Sequence, residues 1–389
     1  MKRVLVYGLA RSGVAAAAAL ASDGVEVVQV DRQLRNEEDL SLLDGVDVVV
    51  KNPGVPGERP LVEEARRRGI PVWSEVELGW RLLRPRPFVG VTGTKGKTTT
   101  CELLGAMFRA EGREVLVAGN VGRPLTAVDA PDDAWIVCEL SSFQLEDVHE
   151  LALDVAVLLN LEPDHLDRHG SFERYRDAKL RVFERARLKI VPRGSGLEGV
   201  EFAADDPLPA EPRIPGAHNR ANAAAAAAAA RAAGIGDDAI AQALEDFPGV
   251  PHRLELVREL DGVRWVNDSI ATNTFAVRHG VAAYDAPVRL ILGGRAKGED
   301  FVPFARELPD NVVGVYLVGE AAGELVDAFD AAARPSTRAG TLARAVELAV
   351  ADARPGDVVL LSPACASYDQ FANFEERGEE FRRLVANLG

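Results

Sequence analysis

Cysteine, lysine, long apolar runs and net positive charge are all in short supply in this chain of 389 residues. Its three cysteines, Cys101, Cys138 and Cys365, are odd in number and far apart, which excludes a disulfide framework and offers no zinc-ligand spacing. No apolar run approaches the roughly 18 residues of a membrane span. The opening residues 4–13 read as a strand and turn, not as the apolar core of a signal peptide, so a cytoplasmic protein without membrane insertion is expected. Lys and Arg total 45 against 60 Asp and Glu, a net charge of -15 that argues against broad nucleic-acid or anionic-membrane binding. Two local basic segments, Arg66, Arg67, Arg68 and the run Lys179, Arg181, Arg185, Arg187, Lys189, are expected to be solvated helix faces. No repeat period is present.

Of the 45 basic residues only seven are lysine: Lys2, Lys51, Lys95, Lys97, Lys179, Lys189 and Lys297. In a chain so biased to arginine, each lysine is a candidate for work that needs an amine, because only lysine readily becomes a neutral nucleophile.

The composition otherwise is that of a globular protein, 47% hydrophobic and 27% charged, long enough for two or three domains. Closely spaced prolines at 85–87 and 248–251 mark boundaries. The expected domains are 1–86, 87–249 and 250–389. The first reads β-α-β, with a helix over 12–23. Its turn Gly8-Leu9-Ala10-Arg11-Ser12-Gly13 has the outline of a dinucleotide fingerprint without the middle glycine, and Asp31 follows the second strand where a ribose-binding acid would sit. An NAD oxidoreductase and a purely structural βα turn are both open on that basis.

The densest signal is FVGVTGTKGKTTT at 88–100: an apolar strand, a glycine-rich turn, then a helix. Such a turn gathers backbone N–H groups at a helix N-terminus into an anion site; Lys97 adds positive charge and Thr98 a hydroxyl for Mg2+. The spacing Gly93-x-x-Gly96-Lys97-Thr98 is shorter than the general phosphate loop. Two further buried-type strands end in Glu139 and, after 155–161, in the segment holding His165. Ligands collect at the C-terminal ends of parallel strands, so both residues are expected at the cradle, Glu139 as a Mg2+ ligand. Lys179 falls on a helix expected over 171–186, where taken alone it reads as a solvated lysine. Asn219 is placed as the N-cap of the alanine-rich helix running to Ala233. A third α/β unit follows.

The segments ELSSFQLE (139–146), NLEPDHLDRHGSFERYRDAKLRVF (160–183), GAHNRANAAAA (216–226), GVPHRLELV (249–257), WVNDSIATN (265–273), GGRAKGEDF (293–301) and LSPACASYDQFANFEERGEEF (361–381) stand beside the cradle. Together they resemble the Mur ligase family over essentially the whole chain. Folylpolyglutamate synthases resemble the chain only in the central cradle. The resemblance implies an α/β protein of three domains: a Rossmann-like N-terminal domain, a central P-loop ATPase domain with a mainly parallel sheet, and a Rossmann-like C-terminal domain. It implies ATP-dependent ligation of D-glutamate to UDP-N-acetylmuramoyl-L-alanine through an acyl phosphate, with Mg2+ at two sites, in a monomer that binds no nucleic acid. Addition of a different amino acid, such as L-glutamate, is the alternative.

By the same resemblance Lys97, Glu139, His165 and Lys179 are catalytic, and Thr98, Glu139, His165 and Lys179 hold metal, the last as a carbamate. Gly93, Thr94, Lys95, Gly96, Lys97, Thr98, Thr99, Asn219, Asn222, Arg253 and Asp268 contact ATP. Arg11, Ser12, Asp31, Arg32 and Asn120 hold the UDP-linked substrate, and Thr272, Lys297, Ser367 and Phe374 the D-glutamate. The chain departs from the family at Ile270, which stands where N-D-S-K-A-T-N has lysine.

Overall fold

The computed structural model describes residues 1–214 and 216–389; the sequence reads as Pro/Gly-rich over 192–215, and the last residue of that stretch lies outside the described residues. The chain forms two compact units, Met1–Phe247 and Pro248–Gly389.

The first unit holds two sheets. One is built from β1 (Arg3–Tyr7), α1 (Arg11–Ser22), β2 (Glu26–Val30), β3 (Val48–Lys51), α2 (Pro60–Arg67), β4 (Val72–Ser74) and α3 (Glu75–Leu83). Its strands run parallel in the order β2-β1-β3-β4. The first turn of α1 presses on the loop after β1: a Cβ on Gly13 would collide with the Gly8 carbonyl, so only glycine allows this approach. The closely spaced prolines predict a linker over 81–87, but α3 continues to Leu83 and only residues 84–87 connect the sheets. The run Arg81-Leu82-Leu83 precedes the first proline, and a helix is free to continue until the residue before one.

The second sheet contains β5 (Phe88–Thr92), α4 (Lys97–Ala110), β6 (Val115–Gly119), β7 (Trp135–Glu139), α5 (Ser142–Leu145), β8 (Leu153–Leu158), α6 (Leu166–His169), α7 (Phe172–Leu180), β9 (Ala186–Pro192), β10 (Val200–Phe202), α8 (Ala217–Ala232) and α9 (Asp237–Asp246). All six strands are parallel, in the order β10-β9-β8-β5-β7-β6. β5 is interior and buried at every residue, which is why its sequence is an unbroken apolar run rather than an alternation. The chain leaves β5 between β7 and β8, and a crevice at such a reversal of strand order is where α/β sheets take ligands.

Three expectations change here. The helix over 171–186 stops at Leu180, and a 3-10 turn leads into β9. The basic run is not a solvated helix face: Lys179 is buried, Arg181 donates to the carbonyls of Glu146 and Val148, and Lys189 lies on a strand. The N-cap of α8 is Gly216, which puts Asn219 inside the first turn.

The two sheets of this unit are joined by buried carboxylates. Glu77 on α3, fully enclosed, accepts N–H bonds from His149, Glu150 and Leu151 at 3.0–3.2 Å. Glu75 accepts both the N–H and the hydroxyl of Thr126, and Ser74 donates to the carbonyl of Asp147 at 2.8 Å. A buried carboxylate is tolerated where both of its oxygens are hydrogen-bonded, as those of Glu77 are.

The second unit comprises β11 (Glu255–Leu260), β12 (Val263–Asn267), α10 (Thr274–Val281), β13 (Val288–Gly293), α11 (Phe301–Glu307), β14 (Val312–Val318), α12 (Ala322–Ala331), β15 (Thr337–Gly340), α13 (Leu342–Asp352), β16 (Val358–Leu361) and α14 (Phe374–Ala386). Its sheet runs β11-β12-β16-β13-β14-β15, parallel except for the β11-β12 hairpin. Two apolar clusters cover it, one centred on Leu290, Phe304 and Phe329, the other on Trp265, Val346 and Phe381.

Candidate active site

The loop between β5 and α4 turns on Gly93 and Gly96, both at positive φ. A Cβ on Gly96 would collide with Oδ1 of Asn222, which reaches the loop from the buried face of α8. Gly96→Ala therefore combines a strained backbone with a clash, and should cost on the order of 1–3 kcal/mol in stability or be absorbed as a displaced loop. A thermal midpoint unchanged together with full ATP affinity would contradict this packing.

Two amines converge on one carbonyl of the loop. Lys97 Nζ donates to the carbonyls of Gly93 and Thr94, each at 2.9 Å. Lys179 Nζ donates to the same Gly93 carbonyl at 2.8 Å, from a side chain only 2% exposed and placed over the Tyr175 ring. Burial, and after it the charge of Lys97, pull the Lys179 amine down to about 7. A large share of this amine is then neutral near pH 7, where an ordinary lysine would be neutral only to on the order of 0.1%.

Beside the amines lies an oxygen-rich corner. Glu139, at the end of β7, accepts from the Thr98 hydroxyl at 2.8 Å on one oxygen and from the Asn120 amide at 2.9 Å on the other. Asn120, read from sequence as a contact of the UDP-linked substrate, is thus drawn onto the Glu139 carboxylate. Thr94 shares its hydroxyl with Tyr175 at 2.8 Å, and Lys95 pairs with Glu162 at 2.7 Å. Asn160, which sequence reading passed over, holds both backbone groups of Lys95 and so fixes the loop. Thr99 is half-buried in the first turn of α4.

His165 sits in left-handed backbone ahead of α6, half exposed, with its ring 4.9 Å from that of Phe143 and Nε2 3.6 Å from Asp164. Its neighbour His169 is buried, between the Ser142 hydroxyl at 3.0 Å and Glu146 at 3.3 Å, and burial lowers its pKa. Among the described residues no cluster of three or more His, Cys, Asp or Glu could hold a metal ion. The donors present are a hydroxyl, a carboxylate, an imidazole and an amine, and the Thr98–Glu139 pair is a hard-oxygen set suited to Mg2+.

At the C-terminal edge of the first sheet, Asp31 accepts from the backbone N–H of Gln33 at 2.8 Å and of Leu9 at 2.6 Å. Those bonds hold its carboxyl below the usual range. Ser12 accepts from Asn52 at 2.8 Å, while Arg11 and Arg32 are exposed.

In the second unit, Lys297 Nζ donates to the Thr272 hydroxyl at 3.0 Å, which brings two residues from different sequence motifs together. Ser367 is buried, and the Phe374 carbonyl accepts from Ser269 at 2.8 Å. Asp268 lies buried between Ser362 at 2.7 Å and the Leu254 N–H at 3.2 Å, and burial pushes its carboxyl up to about 7. Arg253, next to Leu254, is exposed. Ile270 donates its N–H to the His252 carbonyl, so the backbone there is held whatever the side chain. Arg377, missed in the sequence, is enclosed and reaches Ser269 and the Cys365 carbonyl, tying the 269 and 365 segments together. Its signal was an arginine in the acidic run Glu375, Glu376, Glu379, Glu380.

Residues 91–193 match the Mur ligase middle domain and residues 252–365 the Mur ligase glutamate ligase domain. UDP-N-acetylmuramoylalanine-D-glutamate ligase of Desulfitobacterium hafniense is 40% identical, covering 99% of this chain and 97% of the relative. The protein of the same name from Myxococcus xanthus is 39% identical, covering 100% and 98%. The chain belongs to the Mur ligase family.

Solved Mur ligases share the fold. UDP-N-acetylmuramate-alanine ligase of Thermotoga maritima superposes with a TM-score of 0.60 at 18% identity, over 99% of each chain. The bifunctional folylpolyglutamate synthase/dihydrofolate synthase of Yersinia pestis, solved with AMPPNP and a Mn ion, gives 0.56 at 18% identity over 80% of this chain and 92% of its own. That likeness of fold extends well beyond the cradle, to which the sequence resemblance had confined it. Membership of the Mur ligase family leaves no support for hydride transfer at the Gly8 turn.

Proposed function

We infer that this protein is an ATP-dependent ligase that joins D-glutamate to UDP-N-acetylmuramoyl-L-alanine, a step in peptidoglycan precursor synthesis. The full-length relatives carry that name, and the convergence of Lys97 and Lys179 on the Gly93 carbonyl beside Thr98 and Glu139 is the observation that supports the chemistry. A carboxylate is a poor electrophile. Its oxygen attacks the γ-phosphorus of ATP, ADP leaves, and the acyl phosphate so formed has a good leaving group. The D-glutamate amine then attacks the acyl carbon, phosphate departs with the bonding pair, and the amine gives up a proton. Both steps crowd anions together, and Lys97 supplies positive charge where it builds up.

Thr98 and Glu139 are proposed to hold one Mg2+, with His165 and Lys179 serving a second. When bound, such ions spread the charge of the phosphate oxygens. Lys179 would serve as a carbamate: the neutral amine adds to the carbon of CO2, loses a proton, and presents anionic oxygens instead of a cation. Its depressed pKa makes the first of these steps accessible at neutral pH. The remaining cradle residues, Gly93, Thr94, Lys95, Gly96, Thr99, Asn219 and Asn222, with Arg253 and Asp268 of the second unit, are assigned to ATP. Arg11, Ser12, Asp31, Arg32 and Asn120 are assigned to the UDP-linked substrate. Three domains, a monomer and a cytoplasmic location complete this reading; among the described residues no helix is long and apolar enough to cross a membrane.

Thr272, Lys297, Ser367 and Phe374 are assigned to D-glutamate, with Lys297 as the point charge for its side-chain carboxylate. Lys297→Met should raise the KM for D-glutamate by roughly 10- to 100-fold and leave that for the UDP-linked substrate unchanged. Steady-state kinetics with each substrate varied in turn would show it.

The whole reading is tested by phosphate release from ATP with UDP-N-acetylmuramoyl-L-alanine and Mg2+, comparing D- with L-glutamate. Release with the D isomer alone is expected, and would show that Ile270 is tolerated. Release with L-glutamate would select the alternative amino acid, and none with either would overturn the assignment.

A further inference from the structure

The loop at 52–55, which follows β3, lies at the ligand-binding edge of the first sheet. Asn52 donates to Ser12, and Gly8 leaves no space for a Cβ against Asn52 and Val55. The carbonyls of this loop are gripped from two directions. Lys51 Nζ donates to the Val55 carbonyl at 3.0 Å. Arg168, on α6 of the second sheet, donates to the same carbonyl at 3.1 Å and to that of Pro53 at 3.4 Å.

Lys51 is itself fixed by the second sheet. Its ammonium, 1% exposed, stands 3.1 Å from Asp147, whose other oxygen accepts from Arg66 at 2.9 Å. Asp147 follows Glu146, and Glu146 faces both Arg168 at 3.7 Å and His169 at 3.3 Å. A fully buried lysine-aspartate pair is a poor source of stability, because desolvation offsets most of its attraction; what such a pair does well is fix one geometry against its alternatives. Here the fixed element is a loop of the first sheet, and the two groups that fix it from outside that sheet, Asp147 and Arg168, stand beside Glu146 and His169.

We propose that Lys51, acting with Asp147 and Arg168, is a positioning residue for the UDP-linked substrate, holding the 52–55 loop in register with the second sheet. This rests on the assignment of the first sheet to that substrate. Lys51 touches none of the reacting atoms; it sets where the far end of the substrate is held, and so where the acyl end arrives.

The test compares wild type with Lys51→Met and Arg168→Lys. In Lys51→Met, Asp147 keeps Arg66 as a partner, and Arg168→Lys keeps its charge but loses the fork that spans two carbonyls. KM is measured for each substrate, and the equilibrium affinities for UDP-N-acetylmuramoyl-L-alanine and for ADP are measured separately by calorimetry. Each variant is expected to weaken binding of the UDP-linked substrate, in both KM and Kd, by about tenfold or more, with ADP affinity within about twofold of wild type. A merely structural role would lower the thermal midpoint without that split. Unchanged affinity for the UDP-linked substrate, or an equal loss for ADP, would overturn the proposal, and Arg168→Lys decides it alone where Lys51→Met is not obtained folded. A wild-type enzyme inactive with these substrates would instead refute the functional reading.

Discussion

Lys97→Ala should reduce ATP-dependent phosphate release at least about a thousandfold, with a thermal midpoint close to that of wild type. The magnitude follows from the task. A single donor aimed at developing charge in a water-poor site contributes about 10²–10³ in rate, and a cation placed on a transferring phosphoryl group contributes 10³–10⁵. Lys97 is half-buried and donates to two carbonyls of its own loop. A second consequence follows from the shared carbonyl. Removing the Lys97 charge removes one of the two causes that depress the Lys179 amine, so Lys179 in this variant should titrate higher and be less able to take up CO2. Turnover near the wild-type rate would refute the cradle assignment.

Lys179→Met should be inactive and, at pH 6, more stable than wild type. The sign follows from proton linkage. The unfolded chain has an ordinary lysine amine, near 10.5, while the folded protein holds it at about 7. Between those values the unfolded state binds a proton that the folded state does not, so wild-type stability rises with pH across the window. Below pH 7 both states are protonated and the folded protein bears the full cost of burying the charge. Methionine carries no charge, so its advantage should be largest below pH 7 and should fade as the pH approaches 10.5. Thermal midpoints of both proteins at pH 6 and pH 9.5 measure this, and equal differences at the two values would contradict the buried-amine account. If Lys179 works as a carbamate, a short carboxylic acid in the buffer should restore part of the rate to Lys179→Ala, which leaves space for it; the carbamate would also add its mass to the wild-type protein. A stable but inactive variant is the usual sign of a residue kept for function at a cost in stability.

The sequence on its own determined the elements whose signals are local. Unbroken apolar runs marked β5, β7 and β8, the glycines and the lysine at 93–97 marked the anion turn, and the order of strand and helix fixed a mainly parallel α/β architecture. Runs of this kind report backbone state and burial because neighbours in the chain share both. Motif resemblance also named residues that the fold does bring together, such as Thr98 with Glu139 and Thr272 with Lys297.

Only the tertiary structure decided the properties that depend on residues far apart in the chain. Lys179 reads as solvated on its own helix and becomes a buried, half-neutral amine because the loop at Gly93 and the charge of Lys97 close over it. Asn120 was drawn to Glu139, and Asn219 moved from cap to first turn because Gly216 takes the cap. Nothing local distinguishes Lys51 from any lysine at a strand end; Asp147 and Arg168 arrive from another sheet to make it part of a joint. Desolvation and charge proximity are set by contacts across the fold, and a linear pattern does not contain them.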